Sequence, residues 1–359
     1  MTDEVYHKLA RVLDTLPSGF PTTENGLEIK LLKKIFRPDE ARIFCDLRLV
    51  FETAQQIAKR TGRPLQGLEK LLANMWKQGQ IFGVNLLGVK LFKMIPWSFG
   101  IYQFQAPHMD RELAEMCEKY MKNYRRHFFQ AKPQAMQVIP IKNGGGSDAS
   151  YYEHLSYIIE NGESFFLNEC LCRKQRRLLD EGCDKPLEVC IGVIPVSGLL
   201  HGPWTGRPIS KEQTYEVLQK CEEAGLVHMT WNMQDDRMVI CNCCGCCCGA
   251  LRAINELNIP PTRVVNSFYY AQIDPNTCDS CGICANGRCP VNAIQEEVSA
   301  YRVIKEKCIG CGLCIVSCSS EAIRLVRKEP QELTPPPDNE IAWYEERARH
   351  RGVSFSAYR

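Results

Sequence analysis

Two runs of closely spaced cysteines near the end of the chain constrain its fold and chemistry more than any other feature. They read Cys278-x2-Cys281-x2-Cys284-x4-Cys289 and Cys308-x2-Cys311-x2-Cys314-x3-Cys318. Three thiolates at i, i+3 and i+6 can surround one face of an iron–sulfur cubane. Cys-x2-Cys pairs also bind zinc, so two zinc sites are the alternative interpretation.

Residues 266–328 resemble the bacterial-type two-cluster ferredoxins. The likeness includes Pro290 after Cys289, and Ala293-Ile294 and Ala322-Ile323 after the fourth cysteines. The departures are one extra residue before Cys289 and Ser319 in place of the usual proline. The resemblance implies two [4Fe-4S] clusters in which the fourth cysteine of each run binds the other cluster. The implied ligand sets are Cys278, Cys281, Cys284 and Cys318 for one cluster, and Cys308, Cys311, Cys314 and Cys289 for the other.

The preceding region contains ten further candidate metal ligands. They are Cys170, Cys172, Cys183, Cys190, Cys241, Cys243, Cys244, Cys246, Cys247 and Cys248. Six thiols within residues 241–248 are not a packing accident, and neighbouring cysteines make strained disulfides. Metal ligation therefore explains them best. Ten thiols suffice for two more cubanes, or for one cubane and a zinc ion, and both interpretations stay open.

Residues near these cysteines bear on the same sites. Four cations follow Cys172 and are expected to offset cluster charge or to form a solvated helix face: Arg173, Lys174, Arg176 and Arg177. A strand is expected at Val239-Ile240, and a helix from Gly249 whose N-terminal amides point at the metal site. The isolated cysteines Cys45, Cys117 and Cys221 are expected to be core thiols, and the histidines His201 and His228 are expected to be structural or on the surface.

The N-terminal 105 residues resemble a winged helix-turn-helix in their pattern of elements. Residues 1–25 are expected to be a surface lead-in. Periodicity and caps predict helices over 27–35, from Pro38 to about Val50, from Thr53 to Gly62 and over 64–78. Strands are expected at Ile81–Lys93 and Phe99–Phe104. The last helix should turn Leu65, Leu68, Leu71, Leu72 and Met75 inward.

The charge of that last helix argues against DNA binding. Its charged residues are Glu69, Lys70 and Lys77, whereas a helix that reads a DNA groove normally brings several phosphate-binding cations. We therefore expect a protein-docking surface and no nucleic-acid partner. A long helix is expected over 109–130, with a solvated cationic end at Arg125, Arg126 and His127.

The fold class is expected to be α+β with several domains. The predicted segments are a winged-helix-like domain (1–105), a helix and linker (106–147) with a hinge at Gly144–Ser147, a cysteine-rich metal-binding domain (148–262), a dicluster ferredoxin domain (263–328) and a C-terminal linker and tail (329–359). A capping box at Ser210 predicts a helix to Ala224. The tail either docks on a protein surface or is disordered.

Composition favours a cytoplasmic protein of a low-oxygen environment. Most of the 21 cysteines lie between Cys170 and Cys318, as in metal ligation rather than in a disulfide scaffold. The most apolar stretch, Cys190–Leu200, is too short to span a membrane. A net charge of +2 gives no general attraction to nucleic acid.

These features favour an iron–sulfur electron-transfer protein that acts as a subunit or partner of a larger anaerobic oxidoreductase. The absence of a dinucleotide fingerprint argues against hydride chemistry of its own. One alternative is an iron–sulfur redox-sensing transcription regulator. Another is an enzyme with a catalytic cluster in the 148–262 region, where paired cysteines are similar to the cysteine-rich domain of heterodisulfide reductases, although the spacing differs. The redox partner and the oligomeric state are not determined by the sequence.

Overall fold

The computed structural model describes residues 2–141, 149–195 and 206–359. Helices and strands alternate irregularly, as predicted for an α+β protein. The predicted hinge at Gly144–Ser147 and the residue His201 lie outside the described residues. No helix of the described ranges is long and apolar enough to cross a membrane.

The chain begins with a buried amphipathic helix, α1 (Thr2–Thr15). Leu9, Leu13 and Leu16 recur at helical spacing and are fully buried, and so is Phe20 beyond the helix. The predicted surface lead-in at residues 1–25 is therefore wrong, because this segment supplies one side of the N-terminal core.

Four further helices precede a β-hairpin. They are α2 (Leu27–Ile35), α3 (Pro38–Phe44), α4 (Ala54–Thr61) and α5 (Leu68–Lys77). The third predicted helix is observed, with Thr53 as its cap. Helix α3 ends well before Val50, and α5 begins only at Leu68, because Gly67 has a left-handed φ of 80°. Leu65 consequently lies outside the helix and is exposed, contrary to the prediction.

Both strands of the hairpin lie in the first predicted strand segment. They are β1 (Phe82–Leu86) and β2 (Val89–Lys93). The second predicted strand, Phe99–Phe104, is wrong: it is an irregular turn over Trp97–Ile101 followed by α6 (Tyr102–Phe104). A left-handed φ of 61° at Phe99 ends the extended conformation. Single 3-10 turns elsewhere cover Ala106–His108, Tyr151–Glu153, Pro330–Glu332 and Ser356–Tyr358.

The predicted long helix is α7 (Arg111–Phe128). Asp110 Oδ1 caps it by accepting from the Leu113 N–H at 2.7 Å. The predicted solvated cationic end is wrong for Arg125, whose side chain is buried.

A seven-stranded sheet forms the middle of the molecule. Its strands are β3 (Met136–Val138), β4 (Ser164–Glu169), β5 (Glu188–Ile194), β6 (Arg207–Ile209), β7 (Val227–Trp231), β8 (Val239–Cys243) and β9 (Val265–Asn266). Their order is β6-β4-β5-β8-β7-β3-β9, antiparallel except for β3–β9. The sheet therefore includes strands from both segments that flank the predicted 148–262 domain.

Five helices accompany the sheet. They are α8 (Leu155–Glu160), α9 (Leu171–Leu178), α10 (Lys211–Glu223), α11 (Gly249–Leu257) and α12 (Pro261–Val264). The predicted capping box at Ser210 is confirmed, since its Oγ accepts from the Gln213 N–H at 3.1 Å. The predicted strand before the cysteine-rich turn and the predicted helix after it are β8 and α11.

The last cysteine runs lie in a small unit with an internal repeat. Strand β10 (Tyr269–Ile273) pairs with β13 (Ile323–Arg327), and β11 (Ile294–Glu296) pairs with β12 (Tyr301–Val303). A short helical turn over Cys284–Arg288 lies in the first run, and α13 (Leu313–Val316) lies in the second. Each half thus consists of a strand, a cysteine loop, a short helix and a second strand.

The C-terminal tail folds back on the N-terminal part of the chain. Helix α14 (Glu340–Arg351) places Trp343 so that its Nε1 donates to Gln134 O at 2.9 Å. The buried Arg347 guanidinium donates to the carbonyls of Pro17, Phe128, Ala131 and Pro133. The tail is therefore docked on its own chain, and the alternative of a disordered tail is wrong.

Candidate metal centres

The first quartet consists of Cys278, Cys281, Cys284 and Cys318. All four line one pocket. Cys281 is exposed and Cys284 is buried. Gly282, with a φ of 73°, lies between them, and a Cβ there would stand 2.7 Å from Tyr301 Oη. Burial and the nearby Cys278 and Cys281 raise the pKa of Cys284.

The second quartet consists of Cys289, Cys308, Cys311 and Cys314. These residues line a pocket whose other walls are mainly apolar. Cys311 and Cys314 are buried, and burial raises the pKa of both. Gly310 has a φ of 63°, and a Cβ there would lie 2.2 Å from Tyr269 O, so only glycine fits in this loop.

Backbone amides point at the sulfurs of the second quartet. Cys308 Sγ accepts from the N–H groups of Ala271 at 3.3 Å and Gly310 at 3.4 Å. Cys289 Sγ accepts from Ala293 N–H at 3.2 Å. Such N–H···S bonds stabilise thiolates and tune the potential of a bound cluster.

Three cysteines of one run and one of the other surround each cavity, which is the grouping implied by the ferredoxin resemblance. Four thiols in a mainly apolar cavity suit a four-thiolate iron–sulfur cluster. The grouping therefore predicts that each quartet binds iron.

The ten cysteines of the middle region separate into two groups. The six-thiol group is Cys170, Cys172, Cys190, Cys241, Cys243 and Cys248. In strand pairing Ile191 lies opposite Ile240, which brings the next pair, Cys190 and Cys241, together. Direct thiol interactions continue from Cys241 to Cys243, Cys248, Cys172 and Cys170.

The start of helix α11 faces the six-thiol group, as predicted. Contacts with Cys172 and Cys243, together with the N–H groups of Leu251 and Ala250, hold the pKa of Cys248 well below its ordinary value despite burial. Conversely, the contact with Cys241 and burial raise the pKa of Cys190 well above its ordinary value. Burial and mutual contacts thus shift the pKa values of neighbouring thiols in this group in opposite directions.

The four-thiol group is Cys183, Cys244, Cys246 and Cys247. Their sulfurs all lie within 4.8 Å of one another. Cys183 comes from the loop between α9 and β5, and the other three come from the turn between β8 and α11. The contact with Cys247 lowers the pKa of Cys244 to about 4, helped by Arg173 and opposed by burial.

Comparisons with known proteins identify the family of the last cysteine run. Residues 301–324 match the family model of the 4Fe-4S binding domain. The chain carries an iron–sulfur domain. The match includes Cys308, Cys311, Cys314 and Cys318. Neither the curated proteins nor the solved structures contain a match to the chain.

In this iron–sulfur protein, one of the four cations that follow Cys172 lies between the six-thiol and four-thiol groups. Arg173 is fully buried and donates to Pro186 O and Asn242 O, each at 2.6 Å. Its Nε has no hydrogen-bond partner among the described residues. Burial lowers its pKa, but the thiols of Cys170, Cys244 and Cys243 outweigh burial and raise it. A buried cation with a spare donor suits a site that carries negative charge when metal is bound.

The other three predicted cations have other partners. Lys174 pairs with Glu169 at 2.7 Å, and Arg176 pairs with Glu118 at 3.5 Å. Arg177 donates to the Cys183 carbonyl at 3.0 Å and so holds the loop of the four-thiol group.

A buried polar centre beside the six-thiol group was not predicted from the sequence. Glu118 on α7 accepts from Arg252 at 2.7 Å and lies 4.0 Å from Arg125. Burial raises the pKa of Glu118, but the arginines outweigh burial and lower it. A Cβ at Gly249 would lie 3.6 Å from Arg125 Nε, next to Cys248. The seven-residue spacing of Glu118 and Arg125 on one helix was the available sequence signal.

Four of the isolated cysteines and histidines lie among the described residues, and all four are buried. Cys45, Cys117 and Cys221 are buried in hydrophobic clusters. His228 is buried on β7, where its ring lies 2.6 Å from Asn242 Oδ1 and 3.3 Å from Glu222 Oε1. These partners occupy both ring nitrogens.

Proposed function

We propose that this protein transfers electrons through two [4Fe-4S] clusters in the first and second quartets and a further iron–sulfur cluster in the six-thiol group. It would serve as a subunit or partner of a larger oxidoreductase. The observation that carries the proposal is the crossed grouping, in which Cys318 joins the first quartet and Cys289 joins the second. This grouping is typical of two-cluster ferredoxins.

The internal repeat supports the same proposal. Each half of residues 266–328 supplies a strand, a cysteine loop, a short helix and a second strand. Two equivalent halves that exchange one cysteine each would hold two clusters close together. Each cluster would exchange one electron, while the protein supplies ligands, hydrogen bonds and insulation from water.

Contacts between the two cysteine-rich regions support a continuous electron path. Asn255 Nδ2 donates to Pro290 O at 3.0 Å and lies 3.4 Å from Gly245 O. Pro290 follows Cys289 of the second quartet, and Gly245 lies within the cysteine-rich turn. The Arg288 guanidinium also donates to Glu222 O at 2.8 Å and Glu223 O at 3.0 Å. These direct contacts keep the two regions at a fixed separation.

Serine substitutions test the crossed ligand sets. In anaerobically purified protein, Cys318→Ser should perturb the same electron paramagnetic resonance signal as Cys278→Ser. Cys289→Ser should perturb the signal that Cys308→Ser affects. Each quartet accounts for about four irons per chain. Cys45 is buried in the N-terminal core and belongs to none of the thiol groups. Cys45→Ala is therefore the control and should keep all iron. If Cys318→Ser instead matched Cys308→Ser, the crossed assignment would be wrong.

A redox-sensing transcription regulator is the second candidate. The order α4, turn, α5 and the β1–β2 hairpin supports a winged-helix-like domain. However, Val84 of the hairpin packs against Phe166 and Ile194 of the central sheet, and Lys90 pairs with Glu69 of α5 at 3.0 Å. Both contacts engage the hairpin with other parts of its own chain, which favours a protein-docking role over DNA binding. Salt-sensitive, sequence-specific binding of the metal-loaded protein to DNA in a gel-shift assay would reverse this preference.

A catalytic cluster in the six-thiol group is the third candidate. Six thiols exceed the four that a cubane needs, which favours an unusual cluster or an open iron position. A spectral change of the middle-region cluster on addition of a thiol, carbon monoxide or cyanide would support this role. Complete four-cysteine ligation of a cubane would contradict it. A cytoplasmic, low-oxygen location remains part of the proposal for all three candidates.

A further inference from the structure

We propose that the four-thiol group binds one tetrahedral metal ion and not an iron–sulfur cubane. The sulfur of Cys183 lies 3.9 Å from that of Cys244 and 3.7 Å from that of Cys247. The sulfurs of Cys246 and Cys247 are 3.8 Å apart. These distances are those of four ligands that share one centre.

The size of a tetrahedral thiolate site explains the distances. A metal–sulfur bond of about 2.3 Å places the sulfurs of a regular tetrahedron about 3.8 Å apart. In a cubane each cysteine binds a different iron, so that the four sulfurs stand farther apart. The short mutual distances therefore fit a single ion.

The other cysteine sites provide an internal comparison. Within residues 2–141, 149–195 and 206–359, no other group of three or more cysteines has all its sulfurs within 4.8 Å of one another. Both quartets and the six-thiol group are thus more widely spaced. The contrast distinguishes the four-thiol group from the sites proposed to hold clusters.

The surroundings suit a tetrathiolate ion. Four thiolates around a divalent ion leave a net charge of about −2, and Arg173 interacts directly with Cys244. Cys244 and Cys247 are buried, whereas Cys246 is exposed, which leaves a path for the ion to enter. Tetrahedral sulfur ligation selects zinc or iron. The ion would join the Cys183 loop to a turn 61 residues later in the chain.

Metal analysis of the full chain distinguishes a single ion from an iron–sulfur cluster at this site. Native protein should contain one equivalent of zinc, or one iron without matching acid-labile sulfide. X-ray absorption at the zinc edge should show four sulfurs at about 2.3 Å and no neighbouring metal, whereas a single iron should give a high-spin ferric resonance separate from the signals of the quartets. A short metal–metal distance for this site, or no such ion in native protein, would overturn the proposal. This measurement needs no variant to fold.

Matched variants assign the ion to these residues. Cys246→Ser should lose the single ion while the signals of the two quartets remain. Cys243→Ser changes a six-thiol cysteine three residues away in the same segment and should retain the ion. Loss of about four irons with their sulfide from Cys246→Ser would contradict the proposal. The result is separate from the proposed function, since the resonance signals of the quartets report on that function independently.

Discussion

At the scale of single residues, Arg173 has the most specific electrostatic role. It is buried between the six-thiol and four-thiol groups, and two backbone carbonyls fix its guanidinium. A fixed positive charge favours the more negative, reduced state of a nearby cluster. Arg173 is thus expected to raise the reduction potential of a cluster in the six-thiol group.

Removing that charge gives a prediction. Arg173→Met should lower the reduction potential of the cluster proposed for the six-thiol group by roughly 100 mV, the order of magnitude expected for one nearby unit charge at an effective dielectric constant near 20. A redox titration followed by electron paramagnetic resonance measures this shift.

The conservative variant separates charge from packing. Arg173→Lys keeps the charge and should shift the potential much less than Arg173→Met, with the quartet signals unchanged in both. Equal shifts in the two variants would mean that hydrogen bonding or packing, rather than charge, sets the potential.

At the scale of elements, α14 shows how a polar residue can fix the docking of a helix. Arg347 is almost fully buried and its donors satisfy carbonyls that end α7 and follow α1. A truncated side chain would leave these buried carbonyls without donors.

The corresponding prediction compares two arginines of the same helix. Arg347→Met should lower the free energy of unfolding by about 3 kcal/mol or more, because hydrogen bonds to a charged group contribute about 1.5–3 kcal/mol each and the cost of burying the guanidinium offsets part of their sum. The exposed Arg349→Met is the matched control and should change stability by less than about 0.5 kcal/mol. Thermal unfolding of both variants measures the difference, and equal effects would refute a docking role for Arg347.

Elements with strong local signals were predictable from the sequence. The capping box at Ser210 begins α10 as predicted. Asp110 caps α7, so this helix begins close to the predicted residue 109. The extended run at Phe99–Phe104 was not a strand, because the burial of Trp97 and the turn at Phe99 override its apolar composition. Helix α1 and the end of α3 also depend on tertiary packing.

At the scale of the whole molecule, the close approach of Gly245 to Pro290 connects the middle region with the second quartet. A Cβ at Gly245 would lie 2.3 Å from Pro290 O, a backbone atom that cannot move alone. Only glycine therefore allows the cysteine-rich turn to lie this close to Cys289.

Adding a methyl group at this contact tests the connection. Gly245→Ala should destabilise the protein by about 1–3 kcal/mol through overpacking, and should weaken the magnetic interaction between the clusters proposed for the six-thiol group and the second quartet. Gly192→Ala on β5 is the control, since a Cβ there meets its nearest neighbour at 3.8 Å. An unchanged interaction in Gly245→Ala would argue against this contact as part of the electron path.

Features that depend on local spacing could be predicted from the residues alone: the cysteine loops at i, i+3 and i+6, the Ser210 cap, and the strand-to-helix turn around residues 241–248. How the ten middle cysteines divide into two groups follows from the folding of distant segments against one another. Cys190 lies beside Cys241 because β5 and β8 pair in that register. Cys183 lies in the loop before β5, and this loop brings it to Cys244. Pairing of distant strands and docking of buried helices depend on contacts far apart in the chain, which local sequence patterns do not specify.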